Sequence, residues 1–299
     1  MTPITVQSMY IFHEVDSFVK NCLDRIKGRE TFTEYMLSWA TDELNRLYVP
    51  FLKTYDPTYW YAKSIPAFVN ATRSSMADVP YEQAIWEPSF TYDFLTYLRF
   101  YALRIKQQSY SQMTQENNNK EELQSYVRQV LNKYTKSLVI RIDLSYAFDS
   151  RDKVLLDDFA NHMERLRQHI SNKQTCFEDL TGFAWAVEQG IDKGIHCHLW
   201  LVYDGSKRQA DFHIGKAVGE KWLKITNGLG EYHNSNTSEI KTLYESIGQL
   251  GIGRIHRNSQ QEIENAVNTA LYLTKPTKID QYLVVSPKGM RTFGKGVIK

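Results

Sequence analysis

The chain has 299 residues, 42% of them apolar, and a formal net charge of +2. This places it among ordinary globular proteins of one large or two modest domains, and outside the disordered and fibrous classes. No apolar run approaches the roughly 20 residues that span a bilayer, and the amino terminus lacks a basic region followed by an apolar one. Three scattered cysteines, Cys22, Cys176 and Cys197, exclude a disulfide framework, so a cytoplasmic protein without membrane contact is expected. Residues 191–299 carry 15 Lys and Arg against 10 Asp and Glu. That mild excess suits a surface approaching phosphates or an ordinary solvated one equally.

Residues 38–47 and the series Phe90, Phe94, Tyr97/Leu98, Tyr101 follow helical spacing, which predicts a mainly helical region over 1–110. It is rich in aromatics, including Tyr59-Trp60-Tyr61, which serve either as core or as stacking platforms for unpaired bases. Residues 107–120 are polar and rich in Gln and Asn. They read as a linker or long loop, with 111–134 forming linker and lead-in helix, and a second domain covers 135–299.

Beyond residue 135 the period changes to two. Leu138, Ile140, Ile142 and Leu144 alternate with Arg141, Asp143 and Ser145, as on a strand. An amphipathic helix over 153–171 follows, then apolar runs at 183–188 and 195–203 joined across Gly190-Ile-Asp-Lys-Gly194, a hairpin by length and turn residues. A helix over 211–225, a glycine-containing, loop-rich segment, and a last helix over 260–275 ended by Pro276 complete the pattern. The implied fold is α+β, an antiparallel sheet with helices on one face, preceded by the helical region.

On an extended strand His196 and His198 project to one face while Cys197 and Leu199 project to the other. Two imidazoles pointing together suit a divalent metal. If the hairpin is centred on Asp192, Glu188 stands opposite His196 and supplies a third ligand. Two histidines and one carboxylate leave positions open for water and a phosphate oxygen, as catalytic sites do. A metal-free histidine pair that hydrogen-bonds or faces water is the alternative. Farther along, Tyr272 and Lys275 share a helical face, with Asn268 one turn earlier. A tyrosine phenol ordinarily has a pKa of about 10, so attack on a phosphodiester needs a nearby cation or metal. A helix tyrosine packed on the sheet is the plainer reading of Tyr272.

These residues resemble the HUH endonucleases: rolling-circle replication initiators, relaxases and single-tyrosine transposases. The resemblance is nearest to the filamentous-phage (inovirus) replication initiators, related to proteins with a YagK/YfjJ carboxy-terminal domain. It rests on Ile140-Arg-Ile-Asp-Leu144, Lys193-Gly-Ile-His-Cys-His-Leu199, Glu220-Lys-Trp222, Tyr272-Leu-Thr-Lys275 and Arg291-Thr-Phe-Gly294, in that order, and covers residue 135 onward. It implies a strand-specific nick in origin DNA, single-stranded or locally melted, in a bacterial host cell. Tyr272 would stay on the 5′ phosphate and leave a free 3′ hydroxyl for a polymerase, with a host helicase as a further partner. His196, His198 and Glu188 would hold Mg²⁺ or Mn²⁺, and Lys275 would assist at the phosphate. Arg141 and Asp143 would approach metal or DNA, or else form an internal pair or a solvated edge. Arg291 and Lys295 would contact the DNA backbone or lie in a disordered basic tail.

Overall fold

A computed structural model of the chain describes residues 3–77, 79–80, 83–190, 194–274 and 282–298. The regular elements among them are, in chain order, α1 (Tyr10–Ile26), α2 (Glu34–Thr54), β1 (Trp60–Tyr61), α3 (Ser64–Ser75), α4 (Pro88–Arg99), α5 (Ala102–Lys133), β2 (Lys136–Tyr146), α6 (Leu156–Ser171), β3 (Leu180–Gly190), β4 (Gly194–Asp204), α7 (Asp211–Ile225), β5 (Gly230–Asn234), α8 (Ser238–Ser246), β6 (Gly253–His256), α9 (Gln260–Leu271), β7 (Val285–Ser286) and β8 (Phe293–Lys295). The fold is α+β, and its sheets are antiparallel. No helix among the described residues is long and apolar enough to cross a membrane.

Two compact units divide the chain, Met1–Gln112 with Leu283–Gly289, and Met113–Tyr282 with Met290–Lys299. In the first, α1 to α4 surround an aromatic core. Phe18 stacks on Phe94 at 5.9 Å, and Phe68 meets Phe51 and Phe94 edge-on at 5.0 and 5.8 Å. Packing therefore accounts for most of the aromatic richness, although Trp60, Tyr92 and Tyr97 remain exposed. Strand β1 pairs with β7 in this unit, a long-range pairing that local periodicity does not encode.

The polar stretch 107–120 is helix, not loop, because it falls inside α5. Residues 102–133 contain neither Gly nor Pro, and Gln, Glu and Lys favour helix. Pairs four apart such as Gln115 donating to Asn119 at 2.9 Å support it. Its end is anchored by Leu123, Tyr126, Val127, Val130 and Leu131, all buried in the second unit's core, so the helix propagates back from a packed nucleus.

The second unit is built on a sheet of order β5-β2-β4-β3-β8, with β6 also pairing β2. Central β2 meets β5 at Ile142–Tyr146 and β6 at Lys136–Val139. One sheet face carries Leu144, Tyr146, Cys197 and Leu199, and α6 and α7 cover it. Tyr146 contacts Phe159 of α6 and Trp222 of α7, and Gly219 lets α7 approach so closely that a Cβ there would meet the Tyr232 ring at 2.3 Å. The expected helical layer is thus joined by a second on the opposite face. There Val139, Ala184, Ala186, Trp200 and Val202 pack against α9 and the end of α5. The segment expected to be loop-rich contains β5, α8 and β6, each too short for its periodicity to stand out.

Candidate active site

The site forms where that second apolar face runs out. Along β4, Val202 and Trp200 lie in the core and His198 and His196 continue the same face. The hairpin register sets Ala186 opposite His198 and Glu188 opposite His196, as spacing from the turn predicts, although Asp192 itself lies outside the described residues. On the other side β2 sets Asp143 opposite His198 and Arg141 opposite Trp200. A histidine, a carboxylate and an arginine from three neighbouring strands therefore extend one row of core positions.

Both histidines are almost fully buried, and each has one ring nitrogen already committed. His196 Nδ1–H donates to the Gly194 carbonyl at 3.0 Å, from a residue at φ +63°, a left-handed conformation that glycine accepts readily. His198 Nδ1–H donates to Asp143 Oδ1 at 2.6 Å. This leaves both Nε2 atoms turned toward Glu188, whose Oε2 lies 3.2 Å from that of His198 and 3.9 Å from that of His196. One ligand atom from each of the three residues falls within 4.8 Å of the others. Burial, and then the neighbouring His198, push the His196 pKa down to about 4, so its Nε2 keeps a lone pair at neutral pH. Burial opposes protonation of His198 as well, but hydrogen bonds to Asp143 and Glu188 outweigh it and raise the pKa. Glu116 on α5 has its carboxyl raised by burial and by the charge of Glu188. Two acids competing for one region, the Nε2 lone pair of His196 and the Nε2 of His198, whose proton a cation would displace, are a donor set that suits a divalent cation.

Tyr272 joins the cluster from α9. The helix stops at Leu271, short of the expected residue 275, and Tyr272–Thr274 form a 3₁₀ turn. Its ring meets the His198 ring edge-on, with centroids 5.4 Å apart, and the Arg141 guanidinium lies over it at 4.1 Å. The buried α9 residues Ile263, Ala266, Val267 and Ala270 hold that helix end against the sheet.

Of the residues singled out in the sequence, Glu188, His196, His198, Asp143, Arg141 and Tyr272 come together. Asp143 is buried against His198 and not at a solvated edge. Lys275 lies outside the described residues. Asn268 is exposed on α9. Arg291 is exposed and sits near Arg167 of α6, whose pKa is lowered by burial and then by that neighbouring charge. Lys295 belongs to β8, not to a disordered tail, and pairs with Glu122 at 3.6 Å.

Two residues of the site's surroundings have no signal in the sequence. His233, exposed, stands opposite Asp143 on β5. Asn236, fully buried, bridges β2 where its neighbour changes from β5 to β6: its Oδ1 accepts from Arg141 N at 2.9 Å and its Nδ2 donates to the Val139 carbonyl at 2.9 Å. Both depend on pairings across about ninety residues of chain.

Among known proteins, no curated protein and no solved structure matches the chain. The model of the YagK/YfjJ C-terminal domain family does match, over residues 100–296, which take in the sheet, α9 and every residue of the cluster. With well over half of its length so matched, the chain belongs to the YagK/YfjJ C-terminal domain family.

Proposed function

We propose that this protein is a metal-dependent DNA-nicking enzyme of the replication-initiator type, with Tyr272 as its single nucleophile. The observation that carries the reading is the 5.4 Å approach of the Tyr272 ring to His198, the histidine that shares Glu188 with His196. A tyrosine ring beside a cluster that could hold a metal offers the nucleophile and the means of activating it that covalent phosphoryl transfer needs.

His196, His198 and Glu188 would hold Mg²⁺ or Mn²⁺, with Asp143 fixing the tautomer of His198. The ion, when bound, would supply Lewis-acid polarisation of the scissile phosphate. The substrate is single-stranded or locally melted origin DNA. Tyr272 Oη forms a new bond to phosphorus as the bond from phosphorus to the 3′ oxygen breaks. The proton lost by the phenol is balanced by the one the 3′ oxygen takes up. A 5′-phosphotyrosine and a free 3′ hydroxyl result, and the latter can prime a host polymerase.

The test is covalent capture. Oligonucleotides tiling one strand of the replicon that encodes the protein, incubated with it and Mn²⁺, are expected to give a denaturant-resistant adduct at one linkage. Tyr272→Phe is expected to abolish it. An adduct that persists in Tyr272→Phe overturns the nucleophile. Cleavage that proceeds without any adduct in the wild type points to a hydrolase, and tight DNA binding without cleavage points to a non-cleaving DNA-binding protein.

A further inference from the structure

We infer that Arg141 is a catalytic residue that binds the scissile phosphate, an inference that rests on the nicking reading above. Arg141 occupies the one stretch of β2 that neither β5 nor β6 pairs, residues 140–141. Its backbone is pinned there all the same, the N–H by Asn236 Oδ1 at 2.9 Å and the carbonyl by Ser235 N–H at 3.1 Å. The side chain leaves this fixed point on the face that bears His196 and His198, and its guanidinium lies 4.1 Å from the Tyr272 ring centroid. The Tyr272 ring therefore contacts both the His198 ring and the guanidinium.

Among the described residues, one donor of that guanidinium is left unused by the fold. Arg46, Arg128 and Arg208 are each held by carboxylates at ordinary ion-pair distances. Arg141 Nε is buried and has no hydrogen-bond partner. A buried N–H of a permanent cation without an acceptor is unfavourable, and such a group is retained where a ligand completes it. The ligand must be anionic, planar-fork compatible and able to sit beside Tyr272 and the Glu188, His196, His198 cluster. The non-bridging oxygens of a phosphodiester meet all three conditions. Stacking on the ring also restrains Tyr272, so one side chain both orients the nucleophile and neutralises the group it attacks. This assigns to the described residues the cation that a tyrosine nucleophile needs, independently of Lys275.

A charge-deletion cycle on the full chain tests the assignment. The oligonucleotide that the wild type cleaves is prepared with the ordinary phosphate and with a neutral methylphosphonate at the cleaved linkage. Arg141→Gln is expected to slow adduct formation on the phosphate substrate by about 10²-fold or more, and to slow it far less on the methylphosphonate, where the charge that Arg141 meets is gone. Equal losses on both substrates would mean a structural role only and overturn the inference. Should Arg141→Gln fail to fold, as judged by its thermal unfolding, Arg141→Lys is substituted. It keeps a charge without the fork and is expected to show the same substrate dependence with a smaller loss, and its absence again overturns the inference. If the wild type forms no adduct at all, the nicking reading has failed, and the affinity for single-stranded DNA without metal decides about Arg141 alone. The Arg141 variant is then expected to bind several-fold more weakly, and unchanged affinity overturns the inference.

Discussion

His198 shows how much of a site's chemistry is settled by a single hydrogen bond. An imidazole on an exposed strand can present either nitrogen, but the carboxylate of Asp143 only accepts, so its 2.6 Å contact places a proton on Nδ1 and leaves Nε2 as the nitrogen that faces Glu188, where a bound cation would replace the proton shared between them. Removing that carboxylate's charge should cost affinity without removing a ligand. Asp143→Asn is expected to weaken Mn²⁺ binding by about 10- to 100-fold, measured by calorimetric titration of the DNA-free protein. An unchanged dissociation constant would show that the orientation of His198 is set by something else. The histidine pair, its shared face and the Glu188 partner were legible in the sequence because strand alternation and hairpin symmetry are local rules. The role of Asp143 was not, since its contact joins positions 55 residues apart.

At the scale of elements, β2 is the organiser. It pairs β4 along most of its length on one side, and on the other it is shared between two short strands, β5 and β6. The seam between them is closed by a side chain: Asn236 satisfies backbone groups of Arg141 and Val139 that would otherwise be orphaned in the interior. Truncating it leaves a buried donor and a buried acceptor unmade. Asn236→Ala is therefore expected to lower unfolding stability by about 1–3 kcal/mol per group left unsatisfied, read from the urea midpoint. A loss below about 0.5 kcal/mol would mean that water replaces the amide. Helix α5 is the reverse case, in which composition misleads. Its polar stretch has little to bury, yet it is helical because a packed end extends through residues that have no breaker.

At the scale of the molecule, the chain passes from one compact unit to the other at residue 112, returns for Leu283–Gly289, and leaves again at residue 290. The return matters for any attempt to isolate the unit that bears the cluster. Val284 and Val285 are completely buried, and β7 pairs β1 of the helical unit. A fragment beginning at residue 113 keeps these valines but loses the strand β1 that pairs with β7 and the rest of the unit they belong to. That fragment is expected to elute largely as aggregate in size-exclusion chromatography. The same fragment with residues 283–289 replaced by Gly and Ser is expected to run mainly as monomer. Identical elution of the two would show that 283–289 does not depend on the first unit.

What the sequence determined by itself was whatever depends on neighbours within one or two turns: the strand with its two histidines, the hairpin register that brings Glu188 to them, the amphipathic helices, and the helical character of the first hundred residues. The tertiary structure alone decided the rest. It placed Asp143 behind His198, laid Arg141 over Tyr272, stopped α9 just before that tyrosine, and paired β7 with β1. The contacts among these join residues far apart in the chain, and their meeting depends on how packed layers exclude water and satisfy backbone groups, which no local period records.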